Sequence, residues 1–113
     1  MLTIEKLREF GADVEEGLNR CMKMEAFYIQ LVGTALADDH FEKLEKALAD
    51  NDLDQAFECA HALKGVYANL ALTPLFKPVS EMTELLRART EMDYTQLLQQ
   101  AKAEKERLAK LAE

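Results

Sequence analysis

Apolar residues recur at spacings of three and four positions in several parts of the chain, and this period constrains the fold more than any other feature of the sequence. A stripe with this spacing lies on one face of an α-helix and needs a second surface to bury it. One such stripe consists of Met24, Phe27, Tyr28, Leu31 and Ala35. Four glycines, two prolines and no tryptophan among 113 residues leave little material for the many tight turns of a β protein. The sequence therefore predicts an all-α fold.

An aspartate followed three positions later by Glu or Gln marks several helix starts. In this capping pattern the Asp side chain accepts a free backbone N–H of the first turn. The pattern occurs at Asp13, Asp39, Asp52 and Asp93. Together with the apolar stripes it predicts helices near residues 3–10, 14–36 (with a break at Cys21 left open), 40–50, 53–70, 74–88 and 94–112. Because the connections are short, consecutive helices are expected to lie antiparallel.

The segment from Thr73 to Pro78 is the least regular part of this pattern. Thr73 followed by Pro74 is typical of a helix start, because proline suits the first helical position. Pro78 would then lie inside the helix, where a proline removes a hydrogen bond and clashes with the preceding turn. Two alternatives follow: the helix is kinked at Pro78, or it begins there.

The charge balance excludes one broad class of function. Fourteen Lys and Arg stand against twenty-one Asp and Glu, which gives a formal net charge of −7. A general nucleic-acid binder needs a basic face to meet the phosphates. No nucleic-acid partner is therefore expected.

The length of the chain is that of one domain, and residues 1–113 are expected to form a single helical domain. No apolar run approaches the roughly 20 residues of a membrane span, and the first residues do not resemble a signal peptide. We therefore expect no membrane partner and a cytoplasmic location. Cys21 and Cys59 lack the CxxC spacing, so we expect two reduced thiols buried as small hydrophobic side chains.

Residues 53–70 carry the unusual chemistry of the chain. At about 100° per residue, one face of this helix collects the apolar residues Leu53, Ala56, Ala60, Leu63, Tyr67 and Leu70. A different face carries Phe57, His61, Lys64, Gly65 and Ala68. His61 is therefore predicted to be exposed, and Phe57 to be an apolar side chain that the protein itself does not bury. Gly65, one turn after His61, costs about 1 kcal/mol relative to Ala inside a helix.

Three interpretations of His61 are open from the residues alone. The first is a surface histidine without a function. The second is a metal ligand, because Glu58 and His61 have the Glu-x-x-His spacing of di-iron bundles. Such a site needs two of these motifs and two further glutamates facing inward. Here the motif occurs once, on an outward face, and His40 has no Glu three positions before it.

The third interpretation is a nucleophilic histidine. An unperturbed imidazole has a pKa of about 6.5, so near neutral pH it carries a free lone pair that can accept a phosphoryl group. The transferred group is a dianion, for which Lys64 at position i+3 is a suitable cation. The missing side chain at Gly65 would let a bulky partner reach the imidazole. This interpretation explains Gly65, which the first leaves without a reason.

The string Ala60-His61-Ala62-Leu63-Lys64-Gly65, followed by Ala68-Asn69-Leu70, resembles the signature of histidine-containing phosphotransfer (HPt) domains. The opening at residues 13–20, the Phe27-Tyr28 helix and the acidic stretch 38–54 are similar in order and spacing to bacterial members, so the resemblance covers most of the chain. It implies an antiparallel four-helix bundle with additional short helices at its N-terminus. The family often has a glycine where this chain has Ala71.

By position, the resemblance implies that His61 is the phospho-acceptor and that Lys64 contacts the phosphoryl group. Gly65 would clear the approach of the partner, and Phe57 and Ala68 share its face as docking residues. The function implied is that of a phosphorelay intermediate, which accepts a phosphoryl group from a receiver-domain aspartate and passes it to another.

The implied partners are response-regulator receiver domains and a hybrid sensor histidine kinase. The receiver would supply the Mg²⁺, so no cofactor or metal is expected on this chain. No glycine-rich ATP-binding motif is present, so we expect a phosphocarrier and not an enzyme. No second apolar seam is evident, which favours a monomer. The alternative function is a helical docking module that binds receivers or kinases without accepting phosphate.

Overall fold

The computed structural model describes residues 1–113 and contains seven helices and no strand. The helices are α1 (Ile4–Phe10), α2 (Val14–Arg20), α3 (Glu25–Ala37), α4 (His40–Ala49), α5 (Leu53–Asn69), α6 (Thr73–Arg87) and α7 (Thr95–Leu111). The all-α fold predicted from the sequence is confirmed. None of the seven helices combines the length and the apolar character that crossing a bilayer requires.

Helices α4 to α7 form an antiparallel four-helix bundle. Each packs against the next in the chain, and ion pairs between α4 and α7 close the ring. Lys102 Nζ lies 3.3 Å from Glu45 Oε2, and Lys105 Nζ lies 3.4 Å from Glu42 Oε1. Because the residue number rises on α7 as it falls on α4, these two helices run in opposite directions.

One continuous apolar core fills the bundle and extends beneath the N-terminal helices. Its fully buried members come from every helix and include Leu7, Val14, Val32, Leu44, Ala60, Leu75, Met82 and Leu108. Burying a side chain of the Leu or Met class contributes about 1.5–3 kcal/mol to stability. Cys21 and Cys59 belong to this core as free thiols, as the sequence predicted.

The three short N-terminal helices are attached to the end of α5. The hydroxyl of buried Tyr28, on α3, donates a 2.7 Å hydrogen bond to the carbonyl oxygen of Leu70. Gly17, on α2, packs directly on the Tyr28 ring, where a Cβ would lie 2.4 Å from Cζ. The backbone N–H of Asp13 donates to the carbonyl of Ala71 at 2.9 Å. These contacts fix the C-terminal end of α5 from outside the bundle.

The predicted helix over residues 14–36 is two helices, broken after Arg20. Met22 and Lys23 have φ angles of 56° and 59°, in the left-handed region, so the backbone cannot continue as a right-handed helix there. Ala71 takes the same conformation, with φ 54°, at the position where the family often has glycine. The helix end at Leu70 is therefore regular in spite of the departure from the family pattern.

Of the four predicted aspartate capping bonds, two are confirmed and two are not formed. Asp13 and Asp52 accept backbone N–H groups of their first turns at 3.2 and 3.1 Å. Asp39 takes the N-cap position of α4 but its side chain makes no capping bond. Its Oδ2 lies 3.5 Å from Nζ of Lys43 instead. Asp93 accepts from the N–H of Thr95, the first residue of α7, so it lies one position before the cap.

Helix α6 begins before both prolines and runs through them. Its first residue is Thr73, which is inside the helix and does not cap it. Pro74 lies in the first turn, where its missing N–H has no partner in any helix. Pro78 lies inside the helix with its ring buried in the core. Of the two alternatives for Pro78, a helix start at that residue is wrong.

Candidate functional site

Helix α5 carries the predicted site and presents it away from the core. Ala56, Ala60, Leu63 and Tyr67 on its inner face are buried, as the apolar period predicted. His61 lies on the outer face and is exposed, which confirms its predicted placement. The other histidine is different, because Nδ1 of His40 lies 2.6 Å from Asp38 Oδ1. The two imidazoles therefore differ in their surroundings: that of His40 is paired with a carboxylate, and that of His61 is exposed on α5.

Phe57 is packed against two side chains and is not the freely exposed anchor that the sequence predicted. Its ring stacks on the His61 imidazole, with centroids 5.5 Å apart and 19° between the planes. The guanidinium carbon of Arg87, on α6, lies 5.0 Å from the centre of the same ring. Phe57 is half-buried and contacts the core. The prediction of an unburied Phe57 is wrong because α6 places Arg87 over this ring.

Lys64 lies one turn after His61 and is held by a carboxylate of the next helix. Its Nζ lies 2.9 Å from Oε2 of Glu84, and its side chain is only 28% exposed. Lys64 was expected to be the cation that contacts the phosphoryl group; in the structure it is half-buried and paired with a carboxylate. The long stem of a lysine lies along apolar surface while its ammonium reaches the carboxylate.

Glu84 contacts both cations of the site. Its second oxygen, Oε1, lies 3.2 Å from Nε of Arg87. The hydrogen bonds from Lys64 and then from Arg87 hold the pKa of the Glu84 carboxyl below its usual range. Sequence reasoning did not identify Glu84 or Arg87. Both lie on α6, outside the motif, and only the register of α6 against α5 brings them to it.

The surface beside His61 is open at Gly65. A Cβ placed on Gly65 would have no atom within 4 Å, so this glycine is not required by any internal contact. Val66 beside it is 39% exposed. Ala68, one turn after Lys64, is half-buried and borders a groove with Thr73 and Phe76. Because Gly65 and Ala68 have small side chains or none, little protein projects from this part of the α5 surface.

The side chains closest to a metal-ligand set are elsewhere in the chain. Asp38, Asp39 and His40, at the junction of α3 and α4, have ligand atoms within 4.8 Å of one another. Glu58 and His61, whose spacing suggested a di-iron motif, are not joined by a third ligating side chain. The donor set at His61 thus lacks the further inward carboxylates that such a centre requires.

Comparison with known proteins identifies the family. The sequence matches the family described as Hpt domain over residues 34–111, which is more than half of the chain and includes the whole four-helix bundle. It has no significant match among curated proteins or among solved structures. Hpt domains are helical phosphocarriers that interact with receiver domains and kinases, and they are not enzymes. The exposed histidine on α5, the all-helical bundle and the family match agree, and the chain belongs to the Hpt domain family, which transfers phosphoryl groups in two-component signalling.

Proposed function

We propose that this chain is a phosphorelay intermediate whose acceptor is His61. His61 takes a phosphoryl group from the aspartate of one receiver domain and passes it to the aspartate of another. The observation that carries the proposal is the exposed His61 imidazole beside the open position at Gly65, within a chain of the Hpt family. An imidazole that has to enter the active site of another protein needs this exposure.

The transfer step breaks one bond to phosphorus and forms another. The lone pair of the neutral His61 imidazole attacks phosphorus in line with the bond to the donor aspartate. As the P–N bond forms, the P–O bond to the aspartate breaks, and the carboxylate leaves with its electron pair. The other ring nitrogen keeps its proton during this step. Transfer to the next receiver is the same step in reverse, with a different aspartate as acceptor.

Each proposed site residue has a separate role. Lys64 stabilises the phosphoryl dianion by a charge-assisted contact. Gly65 and Ala68 keep the surface low, so that the loops of the receiver reach within roughly 3–3.5 Å of the reacting nitrogen. Phe57 keeps its place as a docking residue through the exposed part of its ring. The receiver supplies the Mg²⁺ and the acidic pocket, and this chain supplies the nucleophile.

Transfer from a labelled receiver tests this function directly. The chain is incubated with a receiver domain phosphorylated with ³²P, and the label on each protein is measured before and after acid treatment. The expected result is acid-labile label on this chain, because phosphohistidine hydrolyses in acid. A complex that forms without transfer of label to this chain would overturn the relay and support the docking module instead.

A further inference from the structure

One carboxylate of α6 pairs with two cations, Arg87 and Lys64, and Lys64 is close to the proposed acceptor in the sequence of α5. Along α5, Phe57 precedes His61 by one turn and Lys64 follows it by nearly one turn. Arg87 covers the Phe57 ring, and Lys64 reaches across to α6. The residue of α6 that Lys64 reaches is Glu84. One carboxylate oxygen of Glu84 pairs with Lys64 and the other pairs with Arg87.

The two bonds of Glu84 differ in what they connect. Arg87 is on the same helix, three positions later, so its bond to Glu84 needs no other element. Lys64 is on the facing helix and nearly one turn from His61. Its bond to the Glu84 carboxylate therefore occupies the ammonium that is proposed to contact the phosphoryl group. Glu84 keeps Arg87 as a partner when Lys64 leaves, and its carboxylate does not become unpaired.

A phosphoryl group on His61 would compete with Glu84 for Lys64. A phosphorylated side chain carries nearly two negative charges and three acceptor oxygens, against one charge on a carboxylate. The Glu84 side chain is 54% exposed, and ion pairs in such positions are weak enough to exchange. Lys64 can therefore move from Glu84 to the phosphoryl group at a small cost.

We propose that Glu84 is a positioning residue that holds Lys64 while His61 is unphosphorylated and releases it to the phosphoryl group. This inference rests on the proposed function of His61 and concerns how long the phosphorylated state lasts. Because the ion pair with Glu84 has to break before Lys64 contacts the phosphoryl group, Glu84 weakens that contact. The carboxylate thereby keeps phospho-His61 reactive and ready to pass its group on.

The test is a substitution that removes the charge of Glu84 and keeps its shape. Wild type and Glu84→Gln are loaded with phosphoramidate, a small donor that needs no protein interface. The donor is then removed, and the half-life of phosphohistidine is measured at neutral pH. We expect the half-life of Glu84→Gln to be about two- to fivefold longer, the range that corresponds to an exposed ion pair. Glu81→Gln is the matched control, because Glu81 is an exposed glutamate of α6 without an ion pair, and it is expected to behave as wild type.

A second background shows whether Glu84 acts through Lys64. In Lys64→Ala, the further substitution Glu84→Gln is expected to leave the half-life unchanged, because the lysine that it would free is absent. An equal effect of Glu84→Gln in both backgrounds would overturn the proposal, since the carboxylate would then act on the phosphoryl group directly. An equal effect of Glu81→Gln would overturn it too, because any negative charge on α6 would do the same.

Nuclear magnetic resonance gives a readout that does not depend on hydrolysis. The side-chain carboxyl carbon of Glu84 is expected to shift when wild type is phosphorylated, while that of Glu81 stays in place. An unmoved Glu84 resonance in a protein that is phosphorylated on His61 would contradict the exchange of Lys64 and leave the proposed function intact. A wild type that takes no phosphate on His61 would instead contradict the proposed function itself.

Discussion

The ring of Phe57 stacks on the imidazole of His61, with centroids 5.5 Å apart and planes inclined by 19°. Arg87 covers the same phenyl ring at 5.0 Å. An exposed histidine on a helix would otherwise be free to take several rotamers. The stack restricts the imidazole on one side and leaves the side toward Gly65 open. Phe57 therefore belongs both to the packing of α5 on α6 and to the geometry of the proposed acceptor.

Phe57→Ala is expected to lower the free energy of unfolding by roughly 1–2 kcal/mol, less than the 3–5 kcal/mol typical of a fully buried phenylalanine. The reason is that the ring is half-buried between His61 and Arg87. Urea denaturation followed by circular dichroism measures the change. Phe57→Leu, which keeps most of the apolar contact, serves as the control and should lose less. An unchanged free energy of unfolding in Phe57→Ala would mean that the contacts of the ring do not contribute to stability.

Gly65→Ala is expected to raise the free energy of unfolding by about 1 kcal/mol, since alanine is the better helix former and the added methyl meets no atom. Gly65→Leu is expected to block transfer from a phosphorylated receiver, because a bulky side chain holds the partner away from His61. Thermal unfolding measures the first effect and label transfer the second.

A small donor separates docking from chemistry at Gly65. Gly65→Leu should still accept phosphate from phosphoramidate, which needs no interface with a second protein. Equal loss from the receiver and from the small donor would show that Gly65 shapes the surroundings of the imidazole itself, and the docking role would then be wrong.

Two other glycines make a matched pair for stability. Gly17→Ala is expected to lower the free energy of unfolding by about 1–3 kcal/mol, because its Cβ would lie 2.4 Å from Cζ of the buried Tyr28 ring. Gly33→Ala, on α3, adds a methyl into open space and should be stabilising by up to about 1 kcal/mol. Urea unfolding of both variants tests the packing of α2 on α3. Equal effects of the two substitutions would contradict it.

Several structural features could be predicted from the sequence because they depend on neighbours along one helix. The buried face of α5 follows from the period of its apolar residues, and the exposure of His61 follows from the same period. Whether the helix breaks at Cys21 was left open, because the break contains no glycine or proline: Met22 and Lys23 themselves take the left-handed conformation. The sequence placed the cap of α4 at Asp39, and the structure agrees on the position, but the capping bond is missing and the carboxylate faces Lys43 instead.

The contacts of the site across α5 and α6 could not be predicted in this way. The ion pair of Lys64 with Glu84 joins residues 20 positions apart. This ion pair forms only if α6 lies at one particular position along α5, because a shift of one turn would place another side chain of α6 opposite Lys64. No short sequence motif specifies the relative position of the two helices. The sequence therefore predicted the proposed acceptor and its neighbours on α5, and missed the side chains of α6 that contact Phe57 and Lys64.

Alkaline pH is expected to destabilise the protein through its buried tyrosines, among them Tyr28 and Tyr67. Burial raises the pKa of Tyr28 to about 12 and raises the pKa of Tyr67 further above its usual range. In the unfolded chain a tyrosine ionises near pH 10. The stability that these neutral hydroxyls contribute is therefore complete below about pH 10 and falls above it, by about 1.4 kcal/mol per pH unit for each tyrosine until its folded pKa is reached.

Urea unfolding between pH 9 and pH 11.5, a range chosen to span roughly the tyrosine pKa of an unfolded chain, measures this loss. Tyr28→Phe removes one ionising group and should have a shallower slope than wild type, although it also loses the hydrogen bond to Leu70 and starts from a lower stability. A slope equal to that of wild type would contradict the assignment of the pH dependence to Tyr28.

The most direct measurement of the central claim is receiver-to-chain transfer of ³²P in two histidine variants, each shown by circular dichroism to be folded. His61→Gln is expected to take no acid-labile label, because the nucleophile is absent, and to keep its stability, because His61 lies off the core. His40→Gln is expected to be labelled as wild type is, since His40 pairs with Asp38 at the start of α4. Label that persists in His61→Gln and disappears in His40→Gln would contradict the account.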